Sequence, residues 1–196
     1  IEVAGAAPAP WVGPGTVHLH GAQSVVLPAV RYDHQDVRVT RDGAPDGVDV
    51  VILTGAGNQA FSSGGDIPQM AGTSAEELTA RREFHSRANW HIATFAKPII
   101  GAINGLAYGG GAMLSSMLDI RIGCDRTAFR FLAVRYGRVN STWTLPLMVG
   151  TAKAKELLYT GRVVEAKEAE RIGLLNQLVP SEKLLDTAIE MAQLIS

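Results

Sequence analysis

Val50-Val51-Ile52-Leu53-Thr54-Gly55-Ala56-Gly57 is an apolar run that empties into a glycine turn, and it leads on into Phe61-Ser62-Ser63-Gly64-Gly65-Asp66-Ile67. A second stretch repeats the design: Pro98-Ile99-Ile100-Gly101-Ala102-Ile103-Asn104-Gly105, then Tyr108-Gly109-Gly110-Gly111. A continuous apolar run of this length reads as a strand covered on both faces. Each strand delivers a stretch of nearly bare backbone. Two such stretches can aim two N–H groups at one point, and paired N–H donors on a carbonyl oxygen form an oxyanion hole. Small side chains at Ser62 and Ser63 would let that backbone approach a ligand closely. A nucleophilic serine is the other reading of this pair, but no G-x-S-x-G elbow surrounds it.

Working outward, the segments between and after these strands read as helices and short strands. Thr73-Ser74-Ala75-Glu76-Glu77 is a helix start in which Glu76 or Glu77 completes a capping box. Leu78, Ala88, Ile92 and Phe95 line one side of that helix to about residue 95. Ala112 to Leu118 reads as a helix, Asp119 to Gly123 as a strand, and Phe129 to Val134 as another. Lys153 to Thr160 and Glu165 to Ile172 are helices stopped by Gly161 and Gly173. Leu184 to Ile195 is an amphipathic helix. Val17 to Val30 holds short β-like pieces, and Val37 to Arg41 alternates before the turn Asp42-Gly43. Strands and helices alternate, so the class is α/β.

Composition narrows the function. At 196 residues, 46% hydrophobic and 19% charged, the chain reads as globular. A net charge of -1 gives no basic footprint for nucleic acid. Pro98 to Leu118 carries no charge, but its five glycines make it a strand, a loop and a helix rather than a membrane span. The single cysteine, Cys124, reads as a small buried side chain and fits a reducing, cytoplasmic setting. His18 and His20 share one face of a strand but lack a third ligand, so no metal is expected. Residues 1–16 are rich in Ala, Pro and Gly and read as an extended or disordered leader.

Gly55-Ala56-Gly57-Asn58-Gln59-Ala60 also matches the G-x-G-x-x-A dinucleotide fingerprint, with Glu76 near the expected acidic position. That reading, an NAD-dependent dehydrogenase, requires the motif to open a helix. Phe61-Ser62-Ser63-Gly64-Gly65-Asp66-Ile67-Pro68 does not read as a first helical turn.

The ordered set of motifs resembles the enoyl-CoA hydratase/isomerase family, the crotonase superfamily. The set comprises Val51 to Gly57, Ala60 to Ile67, Lys97 to Gly105, Tyr108 to Gly111, Asp119-Ile120-Arg121, Leu157 to Arg162 and Glu168 to Leu174. The resemblance reaches from Val50 to Val179 and covers about two-thirds of the chain. It implies a ββα-superhelix, or spiral, fold, incomplete here at the first βα segment and the C-terminal helices. It implies an N-terminal leader over residues 1–30 and an acyl-CoA-binding domain over residues 31–196. It assigns the oxyanion hole to the N–H groups of Gly65 and Gly110. It lays coenzyme A, as part of the substrate and not as a permanent cofactor, along Ser62, Ser63, Gly64, Asp66 and Ile67. Tyr108, Met113, Ala133, Tyr136 and Trp143 fall at the substrate end. The partners implied are an acyl-CoA and further copies of the chain in a homotrimer or hexamer.

The chain departs from this pattern at the acid/base positions. The family's hydratases carry one glutamate two residues past the glycine triplet, where this chain has Met113, and another at the place of Ala133. Neither side chain moves a proton, and such groups each contribute roughly a hundred- to ten-thousand-fold in rate. The loop Gly137-Arg138-Val139-Asn140-Ser141 holds no carboxylate. Asn140 is the polar side chain left there to orient a water or a substrate group. The resemblance therefore leaves an acyl-CoA enzyme and a non-catalytic acyl-CoA binder both open.

Overall fold

The structure, a computed structural model, describes residues 18–20, 24–29, 49–64 and 74–196. The leader at residues 1–16 and the strand and turn read over residues 37–43 lie outside the described residues.

Among the described residues the main sheet has six strands: β1 (His18–His20), β2 (Ser24–Ala29), β3 (Val50–Gly55), β5 (Ile99–Ile103), β7 (Ile120–Cys124) and β10 (Gln177–Val179), in that spatial order. β1 and β2 are antiparallel, and every later neighbour pair is parallel. β1 and β2 thus add to the sheet from the chain before residue 31. A second sheet orders β4 (Ala60–Ser62), β6 (Leu106–Tyr108), β8 (Ala128–Arg130) and β9 (Val163–Glu165). Its first three strands are parallel and β9 is antiparallel to β8.

These strands come in a repeated step. β3 leads to β4 and then to helix α1 (Ala75–Ala93); β5 leads to β6 and then to helix α2 (Gly110–Ser115); β7 leads to β8. The first member of each pair stacks in the main sheet and the second in the smaller one. This is the expected ββα spiral. No sequence period betrays it, because α1 has 19 residues and α2 only 6.

Packing explains the apolar runs. Val50 and Ile52 of β3, with Ile100, Ala102, Ile122 and Cys124, pack on Leu184, Ala188 and Ala192 of helix α6 (Leu184–Ile195). Val51, Ile99 and Ile103 point the other way, into a core with Phe61, Phe129, Leu145 and Leu157. Alternate side chains are buried on opposite faces, so nothing in the strand needs to be polar. Cys124 is buried, as read from sequence. Helices α3 (Thr144–Val149), α4 (Thr151–Thr160) and α5 (Ala166–Arg171) complete the chain.

Several boundaries differ from the sequence reading, each for a local reason. Ser74 caps α1, accepting from Glu77 N, and the Glu77 carboxylate accepts from Ser74 N at 3.0 Å, so Glu77 rather than Glu76 completes the box. α2 begins at Gly110, two residues earlier than its pattern suggests, because Gly109 (φ 54) turns the chain straight into it. It ends early because the Ser115 and Ser116 hydroxyls donate back to Ala112 O and Met113 O, which favours closing the helix. The strand read over Phe129 to Val134 stops at Arg130. Ala133–Tyr136 forms a 3-10 turn, closed by Arg138 N donating to Ala133 O at 3.0 Å. α3 carries Pro146 in its first turn, where no intrahelical N–H is required. Among the described residues no helix is long and apolar enough to cross a membrane. The uncharged stretch from Pro98 divides instead into β5, β6 and α2.

Candidate active site

The two glycine loops meet. Asn104, at the end of β5, donates from Nδ2 to Gly55 O at 3.0 Å and to Gly57 O at 2.9 Å, and its Oδ1 accepts from Gly55 N at 2.9 Å. One buried amide therefore holds the first loop to the second strand. Beyond it, β4 lies against β6, and residues 62–64 press on the start of α2. A Cβ built on Gly111 would fall 2.1 Å from Ser62 O, and one on Gly64 (φ 86) would fall 2.5 Å from Gly110 N. Only glycine lets these backbones approach so closely. The Gly110 N–H opens α2 and so has no intrahelical acceptor. Gly109 N donates to Arg130 O at 2.9 Å, which ties the same turn to β8.

Ser62 is buried and its Oγ accepts from Gly64 N at 3.3 Å, so this hydroxyl shapes the turn. Ser63 is exposed, and Gly64 and Tyr108 are half-buried. Gly65, Asp66 and Ile67 lie outside the described residues. The dinucleotide reading fails on context. After Gly55-Ala56-Gly57 the chain enters strand β4 at Ala60, where a dinucleotide motif would open a helix.

Three elements gather at the far side of α2. Met113 is half-buried and its Sδ lies 3.8 Å from the Asn89 Nδ2 of α1. Next to Asn89, the Trp90 ring sits 6.5 Å from the Trp143 ring, centroid to centroid. Thr144 Oγ1 meets Ser116 Oγ at 2.8 Å, and Ser116 Oγ donates to Met113 O at 2.7 Å. Each hydroxyl has one proton, so Thr144 is the donor in the pair. Met113 and Trp143 are thus brought together through α1, as are α2 and the start of α3. Ala133 and Tyr136 stand on the 3-10 turn, whose Val134 Cγ1 lies 3.1 Å from where a Cβ on Gly161 would sit. Asn89, Trp90, Ser116 and Thr144 were not anticipated. The apolar side read for α1 includes neither Asn89 nor Trp90, and serines inside an uncharged run carry no signal of their own.

Asn140 is half-buried and Ser141 is 7% exposed. Asn140 Oδ1 and Ser141 Oγ are both buried, and neither has a hydrogen-bond partner among the described residues. Ser141 also has φ 54, a left-handed conformation for a residue with a side chain.

Charge is scarce here, and the displaced pKa values lie elsewhere. Burial lowers the Arg121 guanidinium to about 10, while Asp119 opposes that shift. Arg121 donates from Nε to Leu174 O at 2.9 Å and from Nη1 to Leu118 O at 2.5 Å, a structural role. Hydrogen bonds from Lys153 and Arg162 lower Glu156, and those from Arg162 lower Glu168. Among the described residues no cluster of three His, Cys, Asp or Glu could hold a metal ion.

The sequence profile of enoyl-CoA hydratase/isomerase matches residues 42–196. The chain belongs to the enoyl-CoA hydratase/isomerase family. It is 38% identical over 148 residues to a crotonyl-CoA hydratase of Syntrophomonas wolfei, covering 74% of this chain and 57% of that protein. It thus spans a little over half the length of the curated relatives it matches. Among solved structures it superimposes on an enoyl-CoA hydratase from Bacillus anthracis with a TM-score of 0.82 and 29% identity, over 93% of this chain and 76% of that one. A monofunctional enoyl-CoA isomerase from M. smegmatis is 37% identical with a TM-score of 0.62, over 77% of this chain and 64% of that one. The crotonase fold of such neighbours is the fold expected from the motifs.

Proposed function

We propose that this chain acts on an acyl-CoA thioester, with the N–H groups of Gly110 and Gly65 polarising the thioester oxygen. The observation that carries the reading is the approach of Gly64 to Gly110 N, which brings the first glycine loop against the start of α2. Negative charge that builds on the oxygen in an enolate or tetrahedral intermediate would meet donors already fixed by β4, β6 and Asn104. Fixed donors need no reorganisation at the moment of reaction, and losing one typically costs a hundred- to a thousand-fold in rate. The relatives' names, one a hydratase and one an isomerase, support a lyase or isomerase acting on an enoyl-CoA. Assembly into trimers, or pairs of trimers, belongs to the same proposal.

Met113 and Ala133 favour a second reading, an acyl-CoA binder without turnover, because neither side chain can carry a proton. Assay of crotonyl-CoA and longer enoyl-CoA esters, with calorimetric titration of the same esters, separates the two. Turnover at enzyme-like rates ends the second reading. Tight binding without turnover ends the first, and Met113→Glu or Ala133→Glu should then leave binding intact. Absence of any binding ends both.

A further inference from the structure

The Gly110 N–H is aimed by the peptide it belongs to. Gly109 O and Gly110 N–H share one plane and point in opposite directions. Gly109 O accepts from Met113 N at 3.1 Å, the first hydrogen bond of α2, so the Gly110 N–H is turned outward from the helix end. The preceding peptide is pinned as well, because Gly109 N donates to Arg130 O at 2.9 Å. Arg130 is the last residue of β8, beyond which the chain leaves the sheet. Its side chain is half-buried, and its Nε donates to Gly161 O at 2.8 Å, where α4 ends and the backbone turns left-handed (φ 56). Among the described residues it has no carboxylate partner; Glu156 and Glu168 pair with Arg162 instead. A cation at the C-terminal end of a helix is the ordinary reading of such a residue. That reading accounts for the charge but not for the donor used. Through Nε, rather than the Nη groups at the tip, the bond ties the Arg130 backbone to Gly161 by the shortest route the side chain offers.

We infer that Arg130 is a positioning residue for the Gly110 donor: its Nε, seated on Gly161 O, holds the Arg130 carbonyl from which the Gly109 turn hangs; this rests on the acyl-CoA reading above. The connection runs from Gly161 O through Arg130 Nε and Arg130 O to Gly109 N, and so to the peptide that carries the Gly110 N–H. Arg130 touches no reacting atom in this arrangement. It acts on where the donor stands. A preorganised donor works only when held where negative charge develops, and a misplacement of about 1 Å can cost about a hundredfold in rate. Without the seat, the last carbonyl of β8 is free to shift, and the turn that opens α2 shifts with it.

The test reads the donor directly, by infrared difference spectroscopy of the full chain with cinnamoyl-CoA isotope-labelled at the thioester carbonyl. Hydrogen bonds that polarise this carbonyl lower its stretching frequency, so binding to the wild type should displace the band downward from that of the free ester. Arg130→Met keeps the stem and removes the donor. It should lose at least about half of that displacement, while calorimetry shows the ester still bound. Arg130→Gln carries Nε2 on Cδ, as arginine carries Nε, and should restore most of the displacement without the charge. Both variants lose the cation at the end of α4, so a fall in melting temperature common to the two reports helix capping and not positioning. A displacement in Arg130→Met equal to that of the wild type overturns the positioning role and leaves the acyl-CoA reading standing. So does an Arg130→Gln variant that behaves like Arg130→Met, because the effect then belongs to the charge. If cinnamoyl-CoA binds the wild type with no displacement, the oxyanion hole falls and takes the positioning role with it. If neither cinnamoyl-CoA nor crotonyl-CoA binds, the acyl-CoA reading falls as well.

Discussion

Asn104 and Gly55 exchange two hydrogen bonds, side-chain Oδ1 from Gly55 N at 2.9 Å and side-chain Nδ2 to Gly55 O at 3.0 Å, across 49 positions of sequence. A strand end would otherwise leave these backbone groups buried and unpaired. The same Nδ2 reaches Gly57 O, so one amide fixes the first glycine loop against the strand that delivers the second. Asn104→Ala should therefore destabilise the protein by about 2–4 kcal/mol, since three buried bonds vanish together and Gly55 N–H keeps no partner. Chemical denaturation measures this, and a loss under about 0.5 kcal/mol would show that the clamp is dispensable. Asn104→Asp sharpens the point. A carboxylate still accepts from Gly55 N but turns lone pairs toward two carbonyls, so its folded-state pKa should lie above its unfolded one. Stability of that variant should be greatest below the ordinary Asp range and should fall as pH rises through the folded-state value.

At Gly64 two demands coincide: φ is 86, and a Cβ would fall 2.5 Å from Gly110 N. Gly64→Ala should lower the melting temperature modestly, because the left-handed conformation costs about 1–2 kcal/mol for a residue with a side chain. It should lower turnover or ester affinity far more, by about a hundredfold, because the added methyl displaces the backbone next to Gly110. An Ala variant that loses stability but keeps full activity would separate this contact from function.

The central strands were legible because burial on both faces leaves an unmistakable apolar run, as at Val50–Gly55 and Ile99–Ile103, whereas β4, β6 and β9, three residues each, were not read. The C-terminal helix was legible for a related reason: Leu184, Ala188 and Ala192 keep a four-residue spacing that only a packed helix needs. The glycine loops were legible as missing side chains. What the sequence hid are contacts whose partners lie far apart along the chain. Asn104 reads as a turn residue until Gly55 and Gly57 are beside it. Ser116 and Thr144 are separated by 28 positions, and Asn89 and Met113 by 24, so no local pattern marks them. The strained Ser141 was equally hidden, because nothing in Asn140-Ser141-Thr142 announces a positive φ.

Arg162 staples the end of α4 to α5. Its Nη1 and Nη2 donate to the two oxygens of Glu168 at 2.8 and 2.6 Å, and its Nε donates to Glu156 at 2.8 Å. Glu156 is held below the usual carboxylate range first by Lys153 and then by Arg162, Glu168 is held below it by Arg162, and Arg162 is raised in turn, first by Glu168. The sign follows. A carboxylate with a depressed folded-state pKa stabilises fully above its unfolded value of 4.5 and loses that contribution as pH falls through the folded value. Arg162→Met should melt below wild type at pH 7, and the gap should narrow once pH drops below that range. Added salt should narrow it as well, because the pairs are partly exposed. A gap independent of pH and salt would assign the effect to packing of the arginine stem.

The hydroxyl chain from Thr144 through Ser116 to Met113 O joins α3 to α2 inside the core, and the two hydroxyls sit on residues only 6% and 5% exposed. Its two members should not respond alike. Thr144→Val keeps the shape and removes only the donor, so Ser116 Oγ loses an acceptor's partner but still donates to Met113 O. Ser116→Ala removes more, because it strands the buried Thr144 O–H and also takes one of its two donors from Met113 O, which keeps only Ser116 N. The serine variant should be the costlier of the two, at about 2 kcal/mol against about 1 kcal/mol. In the double variant Thr144 no longer carries a hydroxyl to strand, so part of the Ser116→Ala penalty disappears. The sum of the single losses should therefore exceed the loss in the double variant by at least about 0.5 kcal/mol. Additive losses in that double-mutant cycle would mean that the two hydroxyls do not interact.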